Sequence, residues 1–230
     1  MKVLVYTPIY SGKEYCLPEF VENCKQFNFP DYKHIYIDNS IDEEYVERLK
    51  SLGLEAYHVE RGNNTRESLT RSQNFARRVA IDDGYDYMIS LESDIFPEKD
   101  FIQKLIMSGK PVITGLYMIG DKSKGQRHPC ITVKKWNETL QAFGTRLLTA
   151  EEAQKLPSEG LMPVAAGGMG CCLIRREIFT EFPFWYEPRL KGHSDIFFFN
   201  DMYNYNIPVY VDLSVYCEHD NKPWADVKDR

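Results

Sequence analysis

Apolar positions in the first half of the chain fall into short β-rich runs that alternate with longer amphipathic stretches. That alternation is the signature of a largely parallel sheet covered by helices. Lys2 to Thr7 reads as a buried first strand, ended by Pro8. A helix from about Leu17 to Phe27 follows, then a strand from His34 to Ile37. Asp42 to Leu52 is helical with Gly53 as its stop signal, and Glu55 to Val59 is a short third strand. Arg66 to Asp83 is the longest helical run; Leu69, Ala76, Val79 and Ala80 form its apolar stripe and Gly84 closes it. Tyr85 to Leu91 is a strand that runs into the acidic turn LESDIFP, where Pro97 is expected to open another helix. This order puts Asp38 and the Glu92–Asp94 turn at the carboxyl ends of parallel strands, the edge where open α/β sheets bind ligands.

The second half is less regular. Pro111 to Met118 reads as a strand, followed by the polar loop IGDKSKGQRH. Shorter strands are expected at Ile131 to Trp136 and Thr139 to Phe143. The glycine-rich AAGGMG leads into the apolar CCLI, then a helix, then the run SDIFFFNDMYNY. Val209 to Asp212 and Val215 to Cys217 are expected as closing strands, ahead of a polar tail. With no internal repeat and no linker-like break in composition, residues 1–230 read as one domain.

Composition narrows the function classes. Apolar residues make up 43% and charged residues 27%, ordinary for a globular chain. A formal net charge of −6 argues against a nucleic-acid partner held by bulk electrostatics, while a bound cation can still supply local positive charge for a small phosphate ligand. No run approaches the ~20 apolar residues of a membrane helix, and the amino terminus does not read as a secretory signal. The six cysteines contain no C-x-x-C pair, so they are expected to be reduced cytoplasmic thiols, with a disulfide reading left open by their even number.

The chemistry concentrates in YDYMISLESDIFP. Glu92 and Asp94 are separated by one residue, so in an extended stretch both carboxylates address the same side and one ion. Hard oxygen ligands suit Mg²⁺ or Mn²⁺ shared with substrate phosphates. The plainer reading is a solvated turn capping a helix. LESDIFP resembles the D-x-D motif region of glycosyltransferases with the GT-A fold, especially the family 2 type, with Glu in place of the first Asp. The resemblance implies a Rossmann-like, mostly parallel central sheet flanked by helices, with a nucleotide-binding half (1–97) and an acceptor-side half (98–230). It makes Asp94 the stronger metal ligand, Glu92 a second, and Ser93 part of the donor site.

Other segments resemble the same family in order. VYTPIY and IYIDNSID would hold the nucleoside, with Thr7, Pro8 and Tyr10 lining the base and Asp38 meeting base or ribose; the alternative for Asp38 is an Asx-type turn with Asn39 and Ser40. Arg71, Asn74 and Arg78 share one helix face, from which an arginine would meet phosphate, unless the face is merely solvated. Gly168, in the AAGGMG turn, would let backbone approach the donor sugar, or simply make a tight turn. GHSDIFFF resembles the place of the catalytic base, which makes Asp195 the candidate; Ser194 stands where another acid is usual and is also a natural helix cap. His219, expected just after the final strand, matches the position of a third metal ligand and tilts the metal toward manganese. Trp136, Trp185, Tyr186 and Trp224 are candidate sugar-stacking or packing residues, and the loop 120–126 beside Arg127 and His128 is a candidate lid.

The resemblance therefore implies a divalent-metal-dependent glycosyltransferase. It would move a sugar from a nucleotide-diphosphate sugar to a glycan, protein or lipid hydroxyl, with inversion; transfer with retention, in which Asp195 does not act as base, is a second mechanistic possibility. A non-catalytic sugar-nucleotide or glycan-binding module of the same fold is the alternative. A nucleotidyltransferase is a third reading, disfavoured because no glycine-rich, lysine-bearing phosphate loop was read near the first strand.

Overall fold

The computed structural model describes residues 1–120, 127–138 and 141–220. The central loop 121–126, Trp224 and the side chain of Trp136 lie outside what is described. The first half builds β1 (Val3–Ile9), α1 (Leu17–Cys24), β2 (Tyr32–Asp38), α2 (Glu44–Ser51), β3 (Ala56–His58), α3 (Thr65–Asp82) and β4 (Tyr87–Leu91). Then come β5 (Ile95–Pro97), α4 (Phe101–Met107), β6 (Val112–Leu116) and the paired short strands β7 (Met118–Ile119) and β8 (His128–Pro129). The rest is β9 (Thr132–Asn137), β10 (Ala142–Leu147), α5 (Ala150–Ala153), β11 (Leu161–Val164), β12 (Cys171–Arg175), α6 (Arg176–Glu181), α7 (Ser194–Asn204) and β13 (Val209–His219).

The central sheet is mixed and mostly parallel along its main path, in the order β11-β13-β6-β12-β4-β1-β2-β3, with β5 added on β13. β1 runs parallel to β2 and β4, β2 to β3, and β13 to β6; β12 is antiparallel between β4 and β6. Alternation along β1 fills two layers at once. Val3 and Val5 pack with Leu17, Phe20, Leu49 and Phe101, while Leu4 and Tyr6 pack with Ala76, Ala80, Phe179 and Phe198 on the other face.

Three expectations change. Pro97 closes a short strand rather than opening a helix, because residues 95–97 pair with the end of β13. The two closing strands are one, β13, whose register slips between Asp212 and Tyr216 where Asp212 Oδ1 accepts from Ser214 N and Oγ. The hairpin partner of β9 runs to Leu147 instead of stopping at Phe143, its ladder continuing to Leu147↔Thr132. All six cysteines are free thiols, which closes the disulfide reading.

Candidate functional site

The pairing of β5 with β13 builds the site. Glu92 N donates to Gly170 O at 2.9 Å and Ile95 N to Glu92 O at 3.0 Å, so the chain turns tightly after β4 and tucks Asp94 inward, 4% exposed. His219 lies opposite Ile95 in register, and Asp220 N donates to Asp94 O at 2.9 Å. His219 is thus the last residue of the strand rather than a loop residue beyond it. Its Nε2 comes within 3.7 Å of Asp94 Oδ2. Its Nδ1 donates to the Met118 carbonyl at 2.8 Å, and Tyr117 meets the imidazole edge-on at 5.6 Å between centroids. A backbone carbonyl only accepts, so Nδ1 carries a proton and Nε2 is the atom aimed at Asp94.

A residue outside the sequence expectations completes this cluster. Directly after β1, the 3-10 turn Ser11–Lys13 delivers the Lys13 ammonium onto Asp94 Oδ2. Gly12 leaves room there for the Tyr10 ring, which a Cβ at 2.3 Å would displace. Asp94 Oδ1 is buried and has no hydrogen-bond partner among the described residues. Burial pushes the Asp94 carboxyl up, but His219 and Lys13 outweigh it and hold it below its ordinary value. Burial first, and the Asp94 charge second, raise Glu92 to about 7. For His219, burial works against the imidazolium, yet Asp94 and the Met118 carbonyl raise its pKa overall. Lys13 is likewise opposed by burial and raised on balance by Asp94.

Asp195, in the first turn of α7, is half-buried; Oδ1 accepts from Ile196 N at 2.8 Å, and burial raises its pKa. Its charge is felt by Glu92 and by the Cys130 thiol, which links it to the Glu92–Asp94 cluster. The cap expected of Ser194 is not made. His193 is the N-cap residue, and the buried Ser194 hydroxyl instead donates to Gln73 Oε1 at 2.5 Å, tying α7 to α3.

The expected donor residues divide. Pro8 and Tyr10 are half-buried at the end of β1, and the Tyr10 ring carries the Arg61 guanidinium 5.6 Å above its centroid. Thr7 is fully buried and bonds His34 Nε2 at 2.8 Å, so it faces the core rather than a ligand. Asp38 is also fully buried, in the Asx-type turn with Ser40. Arg71 is spent on Glu67 Oε1 at 2.7 Å and on Glu60, and Arg78 is exposed beside the Phe75 ring. Asn74 brackets Phe184, its Nδ2 donating to Phe184 O at 2.7 Å and its Oδ1 accepting from Phe184 N at 3.1 Å. Gly168 is where a Cβ would strike Tyr117 Oη at 1.8 Å, so the glycine admits the tyrosine that backs His219. Ser93 is buried next to Asp94. Trp185 packs at a tilt on Phe197, 4.6 Å between ring centroids, and donates Nε1 to Asp201 at 2.7 Å, while Tyr186 lies under Arg66. Arg127 donates to Met118 O at 3.4 Å.

No family model matches the chain, and no curated protein does. Solved structures do. GalNAc-T7, solved with UDP, GalNAc and Mn²⁺, superposes with a TM-score of 0.64 at 15% identity over 95% of this chain and 44% of that one. The fold is GT-A. The S. aureus TarS fragment 1–349 with UDP-GlcNAc gives a TM-score of 0.60 at 14% identity, covering 97% of this chain and 60% of that one. CMP:2-keto-3-deoxy-manno-octonic acid synthetase with CTP gives 0.50 at 11% identity, covering 92% and 89%. The chain thus spans about half the length of the two glycosyltransferase chains. Among its described residues no helix is long and apolar enough to cross a membrane.

Proposed function

We propose that this chain is a glycosyltransferase that takes a sugar from a nucleotide-diphosphate donor with the help of a divalent cation and inverts the anomeric centre. The convergence of Asp94 and His219, from distant strands, is the observation that supports it most. The residues fit such an ion as a two-ligand set. Asp94 offers a buried, unpartnered Oδ1, and the Met118 carbonyl fixes the His219 ring so that Nε2 faces the carboxylate. Among the described residues no group of three His, Cys, Asp or Glu side chains is gathered for a metal, so donor phosphate oxygens and water would have to complete the set. An oxygen and imidazole pair suits Mn²⁺ better than Mg²⁺.

Bound there, the cation would supply neutralisation of the diphosphate leaving group. Lys13, moved off Asp94 Oδ2, adds a second positive charge to the same phosphates. Glu92, titrating near 7, joins Asp94 as a carboxylate once it loses its proton. Asp195 takes the proton of the acceptor hydroxyl as that oxygen bonds to the anomeric carbon and the bond from that carbon to the diphosphate oxygen breaks. Its raised pKa suits a base that holds the proton through the step. Tyr10 and Pro8 flank the nucleoside side.

The test is thermal stability with Mn²⁺ and each of UDP, GDP, CDP and ADP. A rise is expected with one of them, and it should vanish in Asp94→Ala and in His219→Ala. An undiminished rise in Asp94→Ala removes Asp94 from the cation site. One observation favours a second reading, nucleotidyl transfer: the Gly12–Lys13 turn after β1 does bring a lysine to the acidic centre. Pyrophosphate release from a nucleoside triphosphate and a sugar phosphate would establish it. Metal-dependent, Asp195-dependent hydrolysis of the donor would in turn argue against a binding module without turnover.

A further inference from the structure

Asp38 stands at the carboxyl edge of β2, yet none of its surface reaches solvent. Oδ1 accepts from Ser40 N at 2.9 Å and from Ser40 Oγ at 2.6 Å. Oδ2 meets His58 Nδ1 at 3.0 Å. A carboxylate already accepting two hydrogen bonds on its other oxygen has only acceptor capacity to offer here, so the shared proton belongs to Nδ1. In the neutral ring this tautomer leaves the lone pair on the other imidazole nitrogen, Nε2.

Position carries that lone pair toward the donor side. Asp38 and His58 are register partners on parallel strands, so their side chains leave the sheet on the same face. The His58 side chain keeps 18% of its surface exposed, and nothing among the described residues bonds its Nε2. Ser40 Oγ also accepts from Ser11 N at 2.9 Å, which ties the end of β1 to the same turn. Three residues past His58, the Arg61 guanidinium covers the Tyr10 ring and has no ion-pair partner among the described residues. The ends of β1, β2 and β3 therefore bring Tyr10, with Arg61 over its ring, and His58 to one edge of the sheet.

We propose that His58, oriented by the buried Asp38, is the residue that reads the nucleoside of the donor, its Nε2 accepting a hydrogen bond from a nucleoside N–H or O–H. Asp38 is then a positioning residue that does not touch the ligand. The inference rests on the nucleotide-sugar reading and names how that site selects its donor. Three kinds of group carry such a proton: the ring N–H of uracil or guanine, an exocyclic amine of cytosine, adenine or guanine, and a ribose hydroxyl, of which a preference for CDP and ADP would mark the second. Cytosine and adenine turn a lone pair toward the place of that ring N–H, which an acceptor rejects.

The experiment follows the imidazole nitrogens of His58 by long-range ¹H–¹⁵N NMR while UDP, GDP, CDP, ADP and 2′-deoxy-UDP are titrated in Mn²⁺. Affinities are measured in parallel for the wild type, His58→Gln, His58→Ala and Asp38→Asn. Binding is expected to move the His58 Nε2 resonance, and His58→Ala to lose about tenfold in affinity while still requiring Mn²⁺. Asp38→Asn is expected to change the imidazole tautomer in the free protein and to weaken binding as His58→Ala does, an effect a purely structural aspartate would not have on the spectrum. Preference for UDP and GDP over CDP and ADP assigns the contact to the base. Equal binding of all four, with loss for 2′-deoxy-UDP, assigns it to the ribose. A diphosphate that saturates the wild type, leaves His58 resonances unmoved and binds His58→Ala equally well overturns the inference but not the nucleotide-sugar reading. Failure of all four diphosphates to bind overturns both.

Discussion

Two buried carboxylates sit at the same edge of the sheet and are treated in opposite ways. Asp38 has both oxygens filled, by Ser40 of its own turn and by His58 of the adjoining strand. Asp94 leaves Oδ1 without a partner among the described residues and shares Oδ2 between two side chains brought from far away, Lys13 and His219. Buried polar atoms are nearly always satisfied, so an orphaned oxygen under a concentration of positive charge calls for a ligand, whereas a saturated carboxylate calls for none. The difference separates an acid that holds the fold and aims a neighbour from one that waits for something to bind.

The largest effect is expected where the saturated acid is removed. Asp38→Ala strips an acceptor from three donors at once and should cost about 3–5 kcal/mol, as leaving several buried donors unsatisfied does. At roughly 2–4 °C per kcal/mol for a chain of this size, Tm falls by roughly 6–20 °C in a calorimetric scan. A loss under about 1 kcal/mol would show that the Ser40–Asp38–His58 chain is not what holds this edge.

Asp94→Ala should invert the pattern. In metal-free buffer its Tm loss is expected to be smaller than that of Asp38→Ala, because one oxygen had no bond to lose and Lys13 can turn to solvent. The rise given by Mn²⁺ with the matching nucleoside diphosphate, about 2.7 kcal/mol at a hundredfold excess over Kd, should disappear. Equal Tm losses in the two variants, with the ligand-induced rise kept, would erase the contrast between the two acids.

Lys13→Met sharpens it further. The lysine occupies the oxygen a cation would take, so its removal should strengthen Mn²⁺ binding in the absence of nucleotide about tenfold, near 1.4 kcal/mol. With nucleotide present the same variant should bind more weakly, for want of the ammonium on the phosphates. Paramagnetic resonance titration of free Mn²⁺ reads both. Unchanged affinity in both states would mean Lys13 neither contests nor assists the cation.

Much of this was legible from residue order. The β1-to-β4 alternation placed Asp38 and Asp94 at one edge, and the E-x-D turn after a buried strand pointed to the acidic centre. What stayed hidden was long-range pairing. The β5–β13 ladder sets His219 opposite Ile95, and a three-residue strand followed by Pro97 gives too little pattern to read. Lys13 lay within a short Ser-Gly-Lys turn whose only signal was a glycine before a lysine. Asp38 illustrates the converse: its D-x-S spacing, repeated at Asp212 and Ser214, is the local signal of a carboxylate consumed by its own turn. Arg71 was misleading because helix periodicity shows which face a side chain leaves from, but not that Glu67 and Glu60 already hold it. Thr149-x-x-Glu152 is a readable capping box that marks α5, although so short a helix has no apolar stripe to draw attention to it.

Glu92 should give the smallest and most pH-dependent effect, and it tests whether the acidic centre is kept ready at a cost to stability. Its folded-state pKa of about 7 lies above its ordinary value of 4.5, so the folded protein holds this proton more tightly than the unfolded chain does. The stability this confers is fully present below pH 4.5 and is lost as pH rises through 7. Glu92→Gln fixes the neutral form. In chelator-treated buffer the variant and the wild type should melt together near pH 4, and the variant should melt higher from pH 7 upward. Screening at this partly exposed position leaves about 1 kcal/mol, a Tm gain of about 2–4 °C. Excess Mn²⁺ and nucleotide should reverse the order, since the wild-type carboxylate then gains a cation that glutamine cannot match. A pH-independent difference between the two proteins would mean that Glu92 ionises freely and that the charge of Asp94 does not reach it.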